Sequence, residues 1–117
     1  MKINTFFKSR LIIIVLFLTS ILLITNSCKK ASDTPGTNEV YIQGMAFSPS
    51  TITVTAGTTI TWTNKDGVAH SVTSNSAAFD SGTINTNGTY THLFSAAGTF
   101  PYHCMIHPDM TATVIVN

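Results

Sequence analysis

Residues 51–72 read TITVTAGTTITWTNKDGVAHSV. In Thr51-Ile52-Thr53-Val54-Thr55 polar and apolar side chains alternate, with Ile52 and Val54 on one face. The alternation returns in Thr59-Ile60-Thr61-Trp62-Thr63, where Ile60 and Trp62 point inward. Successive side chains of an extended chain face opposite ways, so a period of two carried by β-branched residues marks half-buried strands. Ala56-Gly57 separates the two runs and Asp66-Gly67 follows them, both turn-forming pairs.

Outward from this segment, short strands are expected at Val40–Gln43, His70–Thr73, Thr89–Phe94, Gly98–Cys104 and Thr111–Val116. Asn87-Gly88 and Ala97-Gly98 punctuate them as further turns. No window of this region shows a helical period. The pattern predicts an all-β sandwich of two sheets with about seven to eight strands. The many threonines suit the outward faces of such sheets.

The start of the chain has a different character. Residues 1–10 carry Lys2, Lys8 and Arg10 and no acid, and Leu11 to Ile24 is apolar except for Thr19 and Ser20. A basic start, a short apolar run and a small residue before the break predict a signal peptide at residues 1–27 and an exported protein. The run is shorter than the roughly 20 apolar residues that span a bilayer, which disfavours an uncleaved anchor. The stretch Ile24-Thr25-Asn26-Ser27-Cys28 resembles a bacterial lipobox, with Thr25 where Leu is usual. That resemblance implies acylation of Cys28 and attachment to a membrane of the cell envelope or periplasm. A soluble secreted protein in which Cys28 is a remnant is the alternative. Residues 28–38 are polar, contain Pro35 and Gly36, and read as a flexible tether. The folded domain is expected over residues 39–117.

Net charge is +1 for the whole chain, but three of the six bases lie in the signal peptide. From Cys28 onward three lysines face five acids, a net −2. No basic patch exists, so nucleic acid is not an expected partner. Asp66, Asp80 and Asp109 are scattered, and no carboxylate pair suited to acid–base catalysis is visible. An enzyme is not expected.

The chemistry concentrates in Cys104-Met105-Ile106-His107-Pro108-Asp109-Met110. Only two cysteines exist, Cys28 and Cys104. If Cys28 is acylated, Cys104 has no disulfide partner in an oxidising compartment, and a bound metal would protect it. Phe100, Tyr102 and Cys104 share one parity and should point into the sandwich, with His107 and Met110 on the loop that follows. A thiolate, an imidazole and a thioether form a soft donor set suited to copper, whereas zinc makes little use of methionine. Two histidines and one cysteine with a weak axial methionine constitute a blue-copper arrangement. His70, 34 residues upstream, supplies the second imidazole. His103 has the opposite parity to Cys104 and should face outward, and His92 reads as a partly buried sheet residue.

The segment 51–72 together with AGTFPYHCMIHPDM (residues 97–110) resembles the cupredoxins, the blue type 1 copper proteins. The Cys-x-x-His-x-x-Met spacing is similar to that of the amicyanins, whose ligand loop is shorter than in plastocyanins. The resemblance spans Val40 to Val116. It implies a Greek-key β-sandwich binding one copper ion through His70, Cys104 and His107, with Met110 as the weak axial ligand. It also implies electron entry and exit at His107, within an apolar patch that includes Pro108 and is expected to take in Met105, Met45 and Phe47. Weak docking of redox partner proteins, by a monomer, follows from a patch of that kind. In those families an Asn follows the first His ligand and bonds across to the cysteine loop; here the position is Ser71, whose hydroxyl has a shorter reach. The implied function is single-electron transfer between periplasmic or membrane redox partners. The alternative is a protein that buffers or delivers copper.

Overall fold

Strands with one threonine face and one apolar face are stable only when the apolar faces meet, and the computed structural model stacks eight of them in that way. It describes residues 33–117. The signal peptide, Cys28 and the first residues of the tether therefore lie outside the described residues. The strands are β1 (Glu39–Ile42), β2 (Phe47–Ser48), β3 (Thr51–Val54), β4 (Thr58–Asn64), β5 (Thr73–Ser74), β6 (Thr89–Phe94), β7 (Gly98–His103) and β8 (Thr111–Val116). No helix occurs among the described residues. One sheet has the order β2-β1-β4-β6 and the other β3-β8-β7-β5. Pairing is parallel between β1 and β4 and between β3 and β8, and antiparallel elsewhere.

The core follows the alternation. Val40, Ile42, Ile60 and Trp62 project from the first sheet and Tyr102, Val114 and Val116 from the second, all buried. One polar contact crosses this apolar layer. The Trp62 indole Nε1–H donates to the Tyr102 hydroxyl at 3.1 Å, and the two rings stand edge to face. A buried indole N–H needs such a partner, because leaving it without one costs about 1–3 kcal/mol. The bond therefore fixes how the two sheets face each other as well as satisfying the donor.

Two elements depart from the sequence expectation. Strand β2 was not anticipated. It forms because Gly44 and Met45 both adopt positive φ, 63° and 60°, and close a two-residue hairpin after β1. This places Phe47 opposite Ile42 and edge-on to Tyr102 at 4.8 Å. Phe47 is thus a core residue, 4% exposed, and not part of a surface patch. The strand expected at His70–Thr73 is also absent as such. His70 forms an isolated bridge with Ile84, and regular pairing begins only at Thr73. The amides between them are diverted. Ser71 N–H donates to the Cys104 sulfur and Val72 N–H to the Ser81 hydroxyl, so neither enters a ladder.

The Trp62–Tyr102 contact has a measurable pH signature. Burial pushes the Tyr102 hydroxyl from 10.0 up to about 12, the bond from Trp62 offsetting part of the rise. The ionised form is disfavoured in the folded state, so this group's contribution is complete below pH 10 and is lost as pH climbs through about 12. Melting curves recorded from pH 7 to 12 should show an alkaline fall in midpoint. Tyr102→Phe should remove part of that fall while lowering stability at neutral pH by about 1–3 kcal/mol, through the orphaned indole N–H. An unchanged alkaline profile in the variant would refute the assignment.

Candidate metal centre

The first arm of the site is built by the loop after β4. Asn64 is fully buried. Its Nδ2 donates to the carbonyls of Val68 (2.8 Å) and Ile84 (3.0 Å), and its Oδ1 accepts the Asp66 N–H at 2.9 Å. One amide side chain thereby folds residues 64–68 into a compact turn. Asp66 is aimed back toward the β1–β2 hairpin, where its carboxylate accepts the N–H groups of Gly44 (2.6 Å) and Met45 (2.9 Å). The same carboxylate lies 3.0 Å from His70 Nε2. Burial pushes the Asp66 carboxyl up, but the two backbone donors and His70 outweigh that and hold it below its usual 3.8. An ionised carboxylate only accepts, so His70 Nε2–H is the donor in this contact, and in the neutral ring Nδ1 is the nitrogen left with a lone pair.

The second arm is the loop after β7. Alternation continues one residue past the strand and buries Cys104 completely. The loop closes on itself: Cys104 N–H donates to the Met110 carbonyl and Met110 N–H to the His107 carbonyl, both at 3.0 Å. Pro108 occupies the second position of the His107–Met110 turn, where its fixed φ is favourable. These two bonds set the ends of the seven-residue loop and leave His107 half-buried, with the Met110 side chain inside the core.

Ser71 joins the arms. Its N–H donates to Cys104 Sγ at 3.3 Å, and its hydroxyl accepts the Met105 N–H at 2.8 Å. Across this junction Cys104 Sγ lies 3.7 Å from His70 Nδ1 and 3.8 Å from His107 Nδ1, and the two nitrogens are 3.2 Å apart. An ion bonded in a trigonal plane at about 2.0 Å to nitrogen and about 2.3 Å to sulfur sets edges of about 3.5 Å and about 3.7 Å. The observed triangle matches those edges to within a few tenths of an ångström. The donors are one thiol and two imidazoles, a set that fits copper.

Of the residues singled out in the sequence, His70, Cys104 and His107 converge, and Met110 is buried at the base of their loop. Ser71 contacts both Cys104 and the peptide beyond it. Pro108 and Met105 are exposed beside His107, and Met45 is exposed on the hairpin held by Asp66. Val68 and Ile106, not anticipated, are also exposed on the site-bearing loops. His103 is half-buried and contacts the Asn75 side chain at 2.6 Å, away from the sulfur. His92 packs between Phe79 and Phe94 in the first sheet. Asp66 and Asn64 were missed. The one signal for Asp66 was an acid four residues before a histidine, which carries little weight without the loop geometry.

A family model described as "Cupredoxin-like domain" matches residues 12–116. Amicyanin-alpha of Methylorubrum extorquens is 33% identical over 87 residues, covering 70% of this chain and 73% of the relative. A solved structure of a Cu(I) form of an amicyanin variant aligns with a TM-score of 0.65 and 30% identity, covering 74% of this chain and 88% of that one. A copper-containing nitrite reductase of Thermus scotoductus aligns at a TM-score of 0.64 but 23% identity, over 68% of this chain and 22% of that one. The last likeness is one of fold alone, and it places the fold within an enzyme as well.

The Asp66 contacts lead to a direct expectation. Asp66→Ala removes the acceptor for His70 Nε2–H and for the Gly44–Met45 turn. Metal affinity should fall about 10- to 100-fold, the usual effect of losing a partner of a ligating histidine. Competition titrations against a chelator of known affinity measure this. An unchanged affinity would mean that His70 is oriented by packing alone.

Proposed function

The chain belongs to the cupredoxin-like domain family, and on that premise we propose that it is a type 1 copper protein carrying single electrons between redox partners in the cell envelope. The observation that carries this reading is the buried triangle of one thiol and two imidazole nitrogens, with edges of 3.2–3.8 Å. A copper ion held there supplies a one-electron Cu(II)/Cu(I) couple. His70, Cys104 and His107 would hold it as the strong ligands, with Met110 as a weaker fourth donor. Ser71 donates its N–H to the thiolate, which stabilises the sulfur's charge and favours the reduced state. Asp66 holds the His70 ring, and the closed 104–110 loop holds the other three donors, so both oxidation states meet nearly the same framework.

His107 is the one member of the set that reaches the surface; His70, Cys104 and Met110 are buried. Electrons therefore enter and leave by its ring edge. Met45, Val68, Met105, Ile106 and Pro108 are exposed on the hairpin and loops that build the site and would give it an apolar rim. Such a rim excludes water from the contact and gives weak, fast-exchanging docking. The protein makes no chemical product in this role. Acylated Cys28 would hold it at a membrane, each buried methylene adding about 0.8 kcal/mol, with residues 29–38 as the tether.

Titration of the purified protein with Cu(II) should give one equivalent bound and an intense blue copper–thiolate absorption that bleaches on reduction. Cys104→Ser should abolish the colour. A colourless product preferring zinc would overturn the electron-carrier reading. Ready loss of copper to an acceptor protein, without reversible cycling, would favour the copper-delivery alternative. In cells Cys28→Ala should move the protein from the membrane fraction to the soluble fraction, as blots of the two fractions would record.

A further inference from the structure

Ser71 is gripped from its far side, and the direction of that grip can be worked out. The Thr73 hydroxyl donates to Asp80 Oδ1 at 3.2 Å. A hydroxyl has one proton, so in the 3.1 Å contact between Ser71 Oγ and Thr73 Oγ1 the donor is Ser71. Ser71 Oγ in turn accepts the Met105 N–H at 2.8 Å. The bonds run one way: Met105 N–H to Ser71, Ser71 to Thr73, Thr73 to Asp80. We infer that Thr73 and Asp80 are positioning residues, completing a directed relay that fixes the Cys104–Met105 peptide through the Ser71 hydroxyl.

The carboxylate end is itself anchored. Asp80 Oδ1 also accepts the Gly82 N–H at 2.9 Å, and Thr73 and Asp80 form an isolated antiparallel bridge. The relay therefore ends on a negative charge held at a set place. Each hydroxyl that donates toward that charge becomes a better acceptor at its other side, so the polarisation accumulates toward Met105. Its site end is the buried one: Ser71 is 4% exposed, whereas Asp80 faces solvent. The consequence falls on Cys104. Ser71 already holds the sulfur through its N–H, and with the relay intact it also holds the peptide immediately after the cysteine. Side chain and backbone of one ligand are thus fixed by one residue, whose own hydroxyl is prevented from rotating by Thr73.

The relay is a property of the protein without metal; only its effect on the ion rests on the copper reading. The test therefore begins with amide hydrogen exchange of the metal-free protein, followed by NMR. Thr73→Val keeps the branched shape and removes the hydroxyl. It should raise the exchange rate of the Met105 amide roughly tenfold, as expected for weakening about one hydrogen bond. Thr73→Ser should restore the parent rate, and the Ile60 and Trp62 amides in β4 should be unchanged in both. In the copper-loaded protein the thiolate absorption band and the reduction potential should shift in Thr73→Val and not in Thr73→Ser. A Met105 rate within about twofold of the parent in folded Thr73→Val would overturn the inference, since loss of a net hydrogen bond exceeds that. If Thr73→Val does not fold, Asp80→Ala at the exposed end decides: a rise of about threefold supports the relay, and an unchanged rate sinks it. A protein that fails to bind copper would remove the proposed function while leaving the exchange result standing.

Discussion

Everything at the metal centre depends on the Ser71 amide pointing at the Cys104 sulfur. The two residues are 33 apart in the chain and lie just beyond the ladder of β5 and β7, whose pairing stops at Thr73–His103. A backbone N–H is a suitable clasp because it has no rotatable bond of its own; its direction is set by the peptide plane. Using it this way has a structural cost. The 70–72 segment gives up regular β pairing, and β5 shrinks to two residues. The isolated His70–Ile84 bridge and the Ser81 hydroxyl take up the groups left over. No buried side-chain nitrogen or oxygen among the described residues lacks a partner.

Around that clasp the same economy recurs, one polar group serving several elements. Asn64 folds its own loop by bonding three backbone groups. Asp66 ties the β1–β2 hairpin to His70 with one carboxylate. Taking a carboxylate out of water is unfavourable, and here three donors over-compensate, which is why its acidity rises instead of falling. Beneath them the Trp62–Tyr102 bond spans the sandwich and keeps β4 and β7, the strands that lead into the two arms, in fixed relation. The loops are thus held from the core side and from each other.

The sheets were legible because their signal is periodic. Ile52 and Val54, Ile60 and Trp62, and the parity of Phe100, Tyr102 and Cys104 all express a single rule about extended chains. The converging residues, His70, Cys104 and His107, were legible for a different reason: thiols and imidazoles are rare in this chain, and two of the three stand within four positions of each other. What escaped was set by single hydrogen bonds with no periodic trace. Phe47 entered the core because a two-residue hairpin turned it inward, and Met45 at positive φ is not a residue that announces such a turn. His70–Thr73 alternates well enough for a strand, yet its amides were claimed by Cys104 and Ser81. Asp66 looked like one of several scattered acids, since its backbone partners lie 21 and 22 residues away and only the fold brings them close.

Burial is graded across the donor set, and on the proposed function that gradient is what reconciles two opposing needs. A thiolate in an oxidising compartment must be kept from water and oxidants, and Cys104 is fully buried. An electron carrier must nevertheless bring some ligand to its surface, since transfer weakens steeply with distance. Placing both demands on one residue would fail. The 104–110 loop separates them along seven residues: the sulfur lies under Ser71, the thioether lies in the core, and the imidazole of His107, the least oxidisable of the three, meets solvent at the edge. The loop's short closure through Met110 keeps that edge near the sulfur. A longer loop would also expose an imidazole, but with less constraint on where it stands relative to the ion.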